Sequence, residues 1–105
     1  MQVVFEEEYL KELYESGKAS DKRHRFQPEI IKKYIRCIDV LISANSPEDL
    51  YPFHSLNYKI LEGDKANISS IRVNDKYRIE FTVTEAGTEP VISVCNILQL
   101  TNHYR

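Results

Sequence analysis

The chain has 105 residues, 42% apolar and 29% charged, with a formal net charge of −2. That is the sequence of one ordinary globular domain, residues 1–105, with room for one modest core, and the near-balanced charge excludes a protein that coats nucleic acid with its whole surface. No apolar run approaches the ~18 residues of a membrane helix, and the opening Met1-Gln2-Val3-Val4-Phe5-Glu6-Glu7-Glu8 turns acidic where a secretory signal is apolar, so a cytoplasmic location is expected.

In chain order, Gln2–Phe5 is short and β-prone, with Val3 and Phe5 on one side, and predicts a first strand. From Glu6 the period turns helical. Tyr9, Leu10, Leu13 and Tyr14 share a face, early glutamates suit the positive helix start, and Gly17 offers a C-terminal cap. Residues 18–26 form a basic loop. Pro28 fits the first position of a second helix, where Ile30, Ile31, Tyr34, Ile35, Ile38, Leu41 and Ile42 recur at helical spacing. Asn45 is placed to cap its end, and Ser46-Pro47-Glu48-Asp49 predicts one short turn. The remainder reads as strands over residues 58–61, 68–73, 77–83 and 91–98, with turns at 62–65, Asn74-Asp75 and Ala86-Gly87. Residues 91–98 are apolar on both faces, as in a central strand. The fold class is therefore α+β: two N-terminal helices packed on one face of a mainly antiparallel four- to five-stranded sheet. Cys37 and Cys95 sit in apolar periodic stretches and read as small buried hydrophobes. His24, His54 and His103 are scattered, and no cysteine or histidine pair has the spacing of a metal site.

Charge is distributed unevenly. Residues 6–15 carry five glutamates against Lys11, whereas residues 18–36 carry seven lysines and arginines against Asp21 and Glu29. Two solvated helix faces of opposite sign would account for this, and so would a protein that meets an anion on one side. Residues 69–81 are more specific. Strand alternation puts Tyr77, Ile79, Phe81 and Val83 on one face. Matching them to Ile71 and Val73 pairs Ile71 with Ile79 and Val73 with Tyr77 across a three-residue loop, Asn74 to Lys76. Arg72 and Arg78 then become direct cross-strand neighbours away from the core, where like charges destabilise a sheet. Glu80 could relieve the repulsion. An anion between the two guanidinium groups would do so as well, since arginine forks match phosphate geometry. On this reading the outer sheet face stays open, and Arg78→Ala leaves stability unchanged or slightly higher.

Leu61-x-Gly63-Asp64-Lys65, then Ser70-Ile71-Arg72-Val73-Asn74, then Tyr77-Arg78-Ile79-x-Phe81, resemble the HigB branch of the RelE toxin superfamily. The similarity covers most of the chain and is densest from Lys59 to Phe81. The resemblance implies a RelE-like fold and the toxin half of a type II toxin–antitoxin pair: an mRNA interferase acting on the ribosome without metal or other cofactor. Its partners would be a helix-turn-helix, HigA-like antitoxin, the ribosome and mRNA, with no membrane. In that family the RNA 2′-hydroxyl attacks the adjacent phosphate, and the protein positions the backbone, neutralises charge and moves protons. Arg78 matches the arginine of the family's aromatic-Arg-aliphatic motif, and Arg72 matches the basic position on the preceding strand. Lys59, four residues before Gly63, stands where HigB members often place histidine. His103 and Tyr104 follow Asn102 where the family often ends in Asp-Tyr-His. The expected catalytic set is Arg72, Arg78, Lys59, His103 and Tyr104, with the choice of general acid and base left open. Lys18, Lys22, Arg23, Arg25, Lys32, Lys33, Arg36 and Lys65 are expected to bind RNA or the ribosome. Two rival readings share the fold: a toxin with another target, such as DNA gyrase, and an inactive partner-binding module.

Overall fold

Glu6 continues the strand before it, because its N–H still bonds the Ile97 carbonyl at 2.9 Å. The first helix therefore starts two residues later than its glutamates suggest. In the computed structural model, which describes residues 1–102, the elements are β1 (Gln2–Phe5), α1 (Glu8–Ser16), α2 (Pro28–Ser43), β2 (Lys59–Ile60), β3 (Ser69–Arg72), β4 (Arg78–Ala86) and β5 (Ile92–Thr101). Short 3-10 turns occupy Lys22–His24, Pro47–Leu50, His54–Leu56 and Gly63–Lys65. Gly17 caps α1 in the left-handed region at φ 77, with its N–H on the Leu13 carbonyl. Pro28 opens α2 as its period requires. That helix ends at Ser43 without Asn45: Ala44 is the C-cap, and the Met1 ammonium donates to the carbonyls of Leu41, Ile42 and Ala44, at the negative end of the helix dipole.

The sheet order is β1-β5-β4-β3-β2. Three of its pairings are antiparallel, but β1 runs parallel to β5, so the sheet is mixed. Period-two alternation marks which face a residue takes and is silent on strand direction. The core lies between the helices and one sheet face. Leu10 and Leu13 of α1 and Tyr34, Ile38 and Leu41 of α2 meet Ile71, Ile79, Phe81, Cys95 and Ile97, all fully buried. Each such aliphatic side chain contributes roughly 1.5–3 kcal/mol relative to exposure. Buried polar tips find partners: the Tyr34 hydroxyl donates to the Leu10 carbonyl at 2.9 Å, and the Leu100 N–H donates to the Tyr9 hydroxyl at 3.3 Å. Ile42 departs from its expected place on the packed face and is 45% exposed, because the next residue after Leu41 turns off the buried stripe.

The β3–β4 register is the one the apolar pattern selects. Ile71 pairs with Ile79 and Arg72 with Arg78, and the Val73 N–H bonds the Tyr77 carbonyl at 2.9 Å across the loop Asn74 to Lys76. The Asn74 side-chain oxygen accepts from the N–H groups of Lys76 and Tyr77 and shapes that loop.

Candidate functional site: the polar sheet face and its cationic flank

Side chains that alternate with the core residues assemble a second, polar face. Register aligns Lys59, Ser70, Glu80 and Gln99 in one row across β2, β3, β4 and β5, and Arg72, Arg78 and Thr101 in the next. A β-bulge makes the last members possible. Glu80 pairs with Gln99 but Phe81 with Ile97, so Leu98 is the extra residue on β5. Without the bulge, Gln99 and Thr101 would point into the core and Leu100 out of it. The bulge lies past the end of β1, whose last partner is Ile97.

Arg78 is 3% exposed, so the expectation of an open face fails at this residue. Its Nε donates to Ser70 Oγ and its Nη2 to the Asn57 carbonyl, both at 2.9 Å. Asn57 reaches that place through the left-handed conformation, φ 46 and ψ 52, after the His54–Leu56 turn. Arg72, half-buried, forms an ion pair with Asp75 of the hairpin loop. Each arginine therefore has its own acceptors, which lowers the cost of their adjacency without an anion between them. Glu80 is also 3% exposed, and it accepts from Lys65 Nζ at 2.9 Å and from Gln99 Nε2 at 2.7 Å. Through that ion pair the Gly63–Lys65 turn is tied to the sheet. Lys59 stands exposed at the edge of the same face. His103 and Tyr104 lie outside the described residues.

The expected RNA- or ribosome-binding residues divide into groups. Lys65 belongs to the polar face. Arg25 and Lys33 line a cleft of about 420 Å³ with Lys76 of the β3–β4 loop. Lys33 and Arg36 line a second cleft, of about 330 Å³, with Arg72. Lys33 thus borders both clefts, and Arg72 joins the second to the sheet face. Lys18, Lys22, Arg23 and Lys32 are exposed and line neither cleft. The loop carrying several of them is pinned by His24, whose ring stacks on Tyr9 at 3.6 Å and whose Nδ1 is 3.0 Å from Asp21 Oδ2. Asp21 is held below the usual carboxylate range, first by the Arg23 backbone N–H at 2.8 Å and also by His24 and the Arg23 side chain.

Sequence reasoning did not single out Asn57, Ser70, Gln99 or Thr101. Ser70 alternates with Ile71 and could have been placed on this face. Gln99 and Thr101 depend on the bulge, and Asn57 depends on a turn without periodicity.

The family model for the RelE-like toxin of type II toxin–antitoxin system HigB matches residues 3–92. The chain is 34% identical to Toxin HigB-1 of Vibrio cholerae serotype O1 over 82 residues, covering 77% of this chain and 82% of the relative. Among solved structures, the YoeB/ParE toxin from Agrobacterium tumefaciens superposes with a TM-score of 0.56 at 19% identity, over 99% of this chain and 100% of that one. That likeness concerns the fold alone. The matched residues include β3, the hairpin loop and β4, the segment that sets Arg72 opposite Arg78. The chain belongs to the HigB family of RelE-like toxins of type II toxin–antitoxin systems, and an antitoxin is its partner.

Proposed function

We propose that this toxin is a metal-independent endoribonuclease that cuts mRNA on the ribosome. The observation that carries the reading is the polar sheet face, where a buried, fixed Arg78 and its neighbour Arg72 stand with Lys59 and Lys65 on a HigB-family fold. The RNA 2′-oxygen attacks the adjacent phosphorus and loses its proton. The bond to the 5′-oxygen breaks, and that oxygen takes up a proton. The products are a 2′,3′-cyclic phosphate and a 5′-hydroxyl end. Two arginines and two lysines supply the charge that the crowded phosphorane needs, and donors already fixed in place do so without reorganisation. Proton transfer falls to Lys59, His103 and Tyr104. The loop and α2 cations, Lys18, Lys22, Arg23, Arg25, Lys32, Lys33 and Arg36, hold the ribosomal RNA. The whole chain acts as one toxin domain in the cytoplasm, restrained by a helix-turn-helix, HigA-like antitoxin.

The test is single-turnover cleavage of mRNA on programmed ribosomes, with RNA ends mapped. Cuts within translated codons, 5′-hydroxyl ends, and full activity after chelation of divalent ions beyond what ribosomes require are expected. Intact mRNA under these conditions would refute the nuclease, and DNA-gyrase poisoning in its place would establish the rival target.

A further inference from the structure

We propose that the cleft between α2 and residues 53–56 is a nucleotide subsite, where one base of single-stranded RNA stacks on Phe53 and its phosphate meets Lys33, Arg36 and Arg72. RNA as the ligand rests on the function proposed above, but the place does not: it lies round the sheet edge from the polar face. Its volume, about 330 Å³, suits one nucleotide. The floor is apolar, with Cys37 and Leu56 buried, and burial pushes the Cys37 thiol up to about 11, so it enters the site as a neutral surface. Phe53 is 47% exposed beside three cations, although a large apolar ring has better places in a fold. Stacking accounts for the ring and phosphate for the cations, the pairing found in single-strand RNA grooves.

Strand geometry gives the RNA a route. β2 pairs only with Ser69 and Ser70, so it leaves the edge of β3 uncovered at Arg72, where Ser55 and Leu56 line the same cleft. Arg72 belongs to both the polar face and the cleft. A strand crossing that face therefore turns over the edge without leaving cationic surface. An acidic peptide would also satisfy the three cations, but it has no π-face for Phe53.

The chain contains no tryptophan, so Phe53→Trp makes a single-indole reporter at an exposed position. Hexauridylate should quench it saturably, whereas a ribose-phosphate hexamer without bases should not. In fluorescence anisotropy with labelled hexauridylate, Phe53→Ala should weaken binding roughly tenfold or more, Phe53→Tyr should restore it, and Arg36→Ala should weaken it. A response to polyglutamate equal to that for RNA would overturn the subsite and make the cleft an acidic-peptide groove. Ribosomal cleavage with no indole response to RNA would sink the subsite and spare the proposed nuclease. Quenching by RNA without cleavage on ribosomes would do the reverse.

Discussion

Arg78 gives Nε to Ser70 and Nη2 to Asn57 from a position that is 3% exposed, so its replacement by alanine strands the buried Ser70 hydroxyl and takes a donor from the part-buried Asn57 carbonyl. An unsatisfied buried group costs about 1–3 kcal/mol, which outweighs the few tenths to ~1 kcal/mol recovered from arginine–arginine repulsion. Arg78→Ala should therefore lower the melting temperature by several degrees, against the sequence-based expectation of no loss. The same change should slow the chemical step on the ribosome about a hundredfold or more, the scale for one preorganised donor. Arg78→Lys should recover part of the rate but not both hydrogen bonds. Unfolding and cleavage measured side by side separate the roles: an unchanged melting point would mean that the Ser70 and Asn57 bonds carry no net stability. Cys37 and Cys95 offer a second residue-scale check. Burial raises their thiols to about 11 and about 12, from an ordinary 9.0. Because the neutral form is the one the fold accepts, stability is intact below about 9 and declines as pH rises toward the folded values. At pH 8 a thiol reagent should modify neither cysteine in native protein and both after unfolding. Rapid native labelling would contradict the buried placement.

At the scale of elements, the Leu98 bulge decides which side of β5 reaches the polar face. Removing the extra residue makes the strand regular and keeps Ile97 and Leu100 inward and Gln99 outward. Deleting Leu98 should therefore leave a cooperative fold, with a few degrees lost through altered twist and lost packing. Deleting Asn96 instead also makes the strand regular, but it puts Leu98 in the core in place of Ile97 and loses the Asn96 bonds to Thr82 and Thr84. It should therefore melt cooperatively but lower than the Leu98 deletion; circular dichroism melts of the two deletions provide the comparison. What the sequence made legible follows the same physics. The stop of α1 and the start of α2 were marked by Gly17 and Pro28, and the β3–β4 register was fixed because only one pairing buries Ile71, Ile79 and Phe81 together. The direction of β1 and the bulge were not legible, since a two-residue period encodes neither. Asn57 escaped because its role comes from a backbone carbonyl, which every residue type offers.

Across the whole molecule, charge is sorted to where the site needs it. The acidic residues of α1 stay off both clefts. Glu29 and Asp75 share the cleft of Arg25 and Lys76, but the charged residues that line the other, Lys33, Arg36 and Arg72, are all cations, and Arg72 links it to the sheet. Composition hid this, because a net charge of −2 averages the two sides. The basic run over residues 18–36 was visible, but which of its members converge was not. Lys33 and Arg36 come within reach of Arg72 only when α2 packs beside β3, where Cys37 Sγ lies 3.8 Å from the Arg72 carbonyl. If this strip binds phosphate, ribosome affinity should fall linearly on a log–log plot against salt, with a slope set by the number of phosphates neutralised. Each single-strand contact contributes about 0.7 to that slope, so Lys33→Ala with Arg36→Ala should flatten it by roughly 1–1.5. Lys11→Ala, on the acidic α1 and away from both clefts, should leave the slope unchanged, which controls for net charge. Sedimentation binding to ribosomes at several salt concentrations measures all three. Equal slopes for the double variant and the unaltered protein would place the ribosome contact elsewhere, on the loop cations Lys18, Lys22 and Arg23 that line neither cleft.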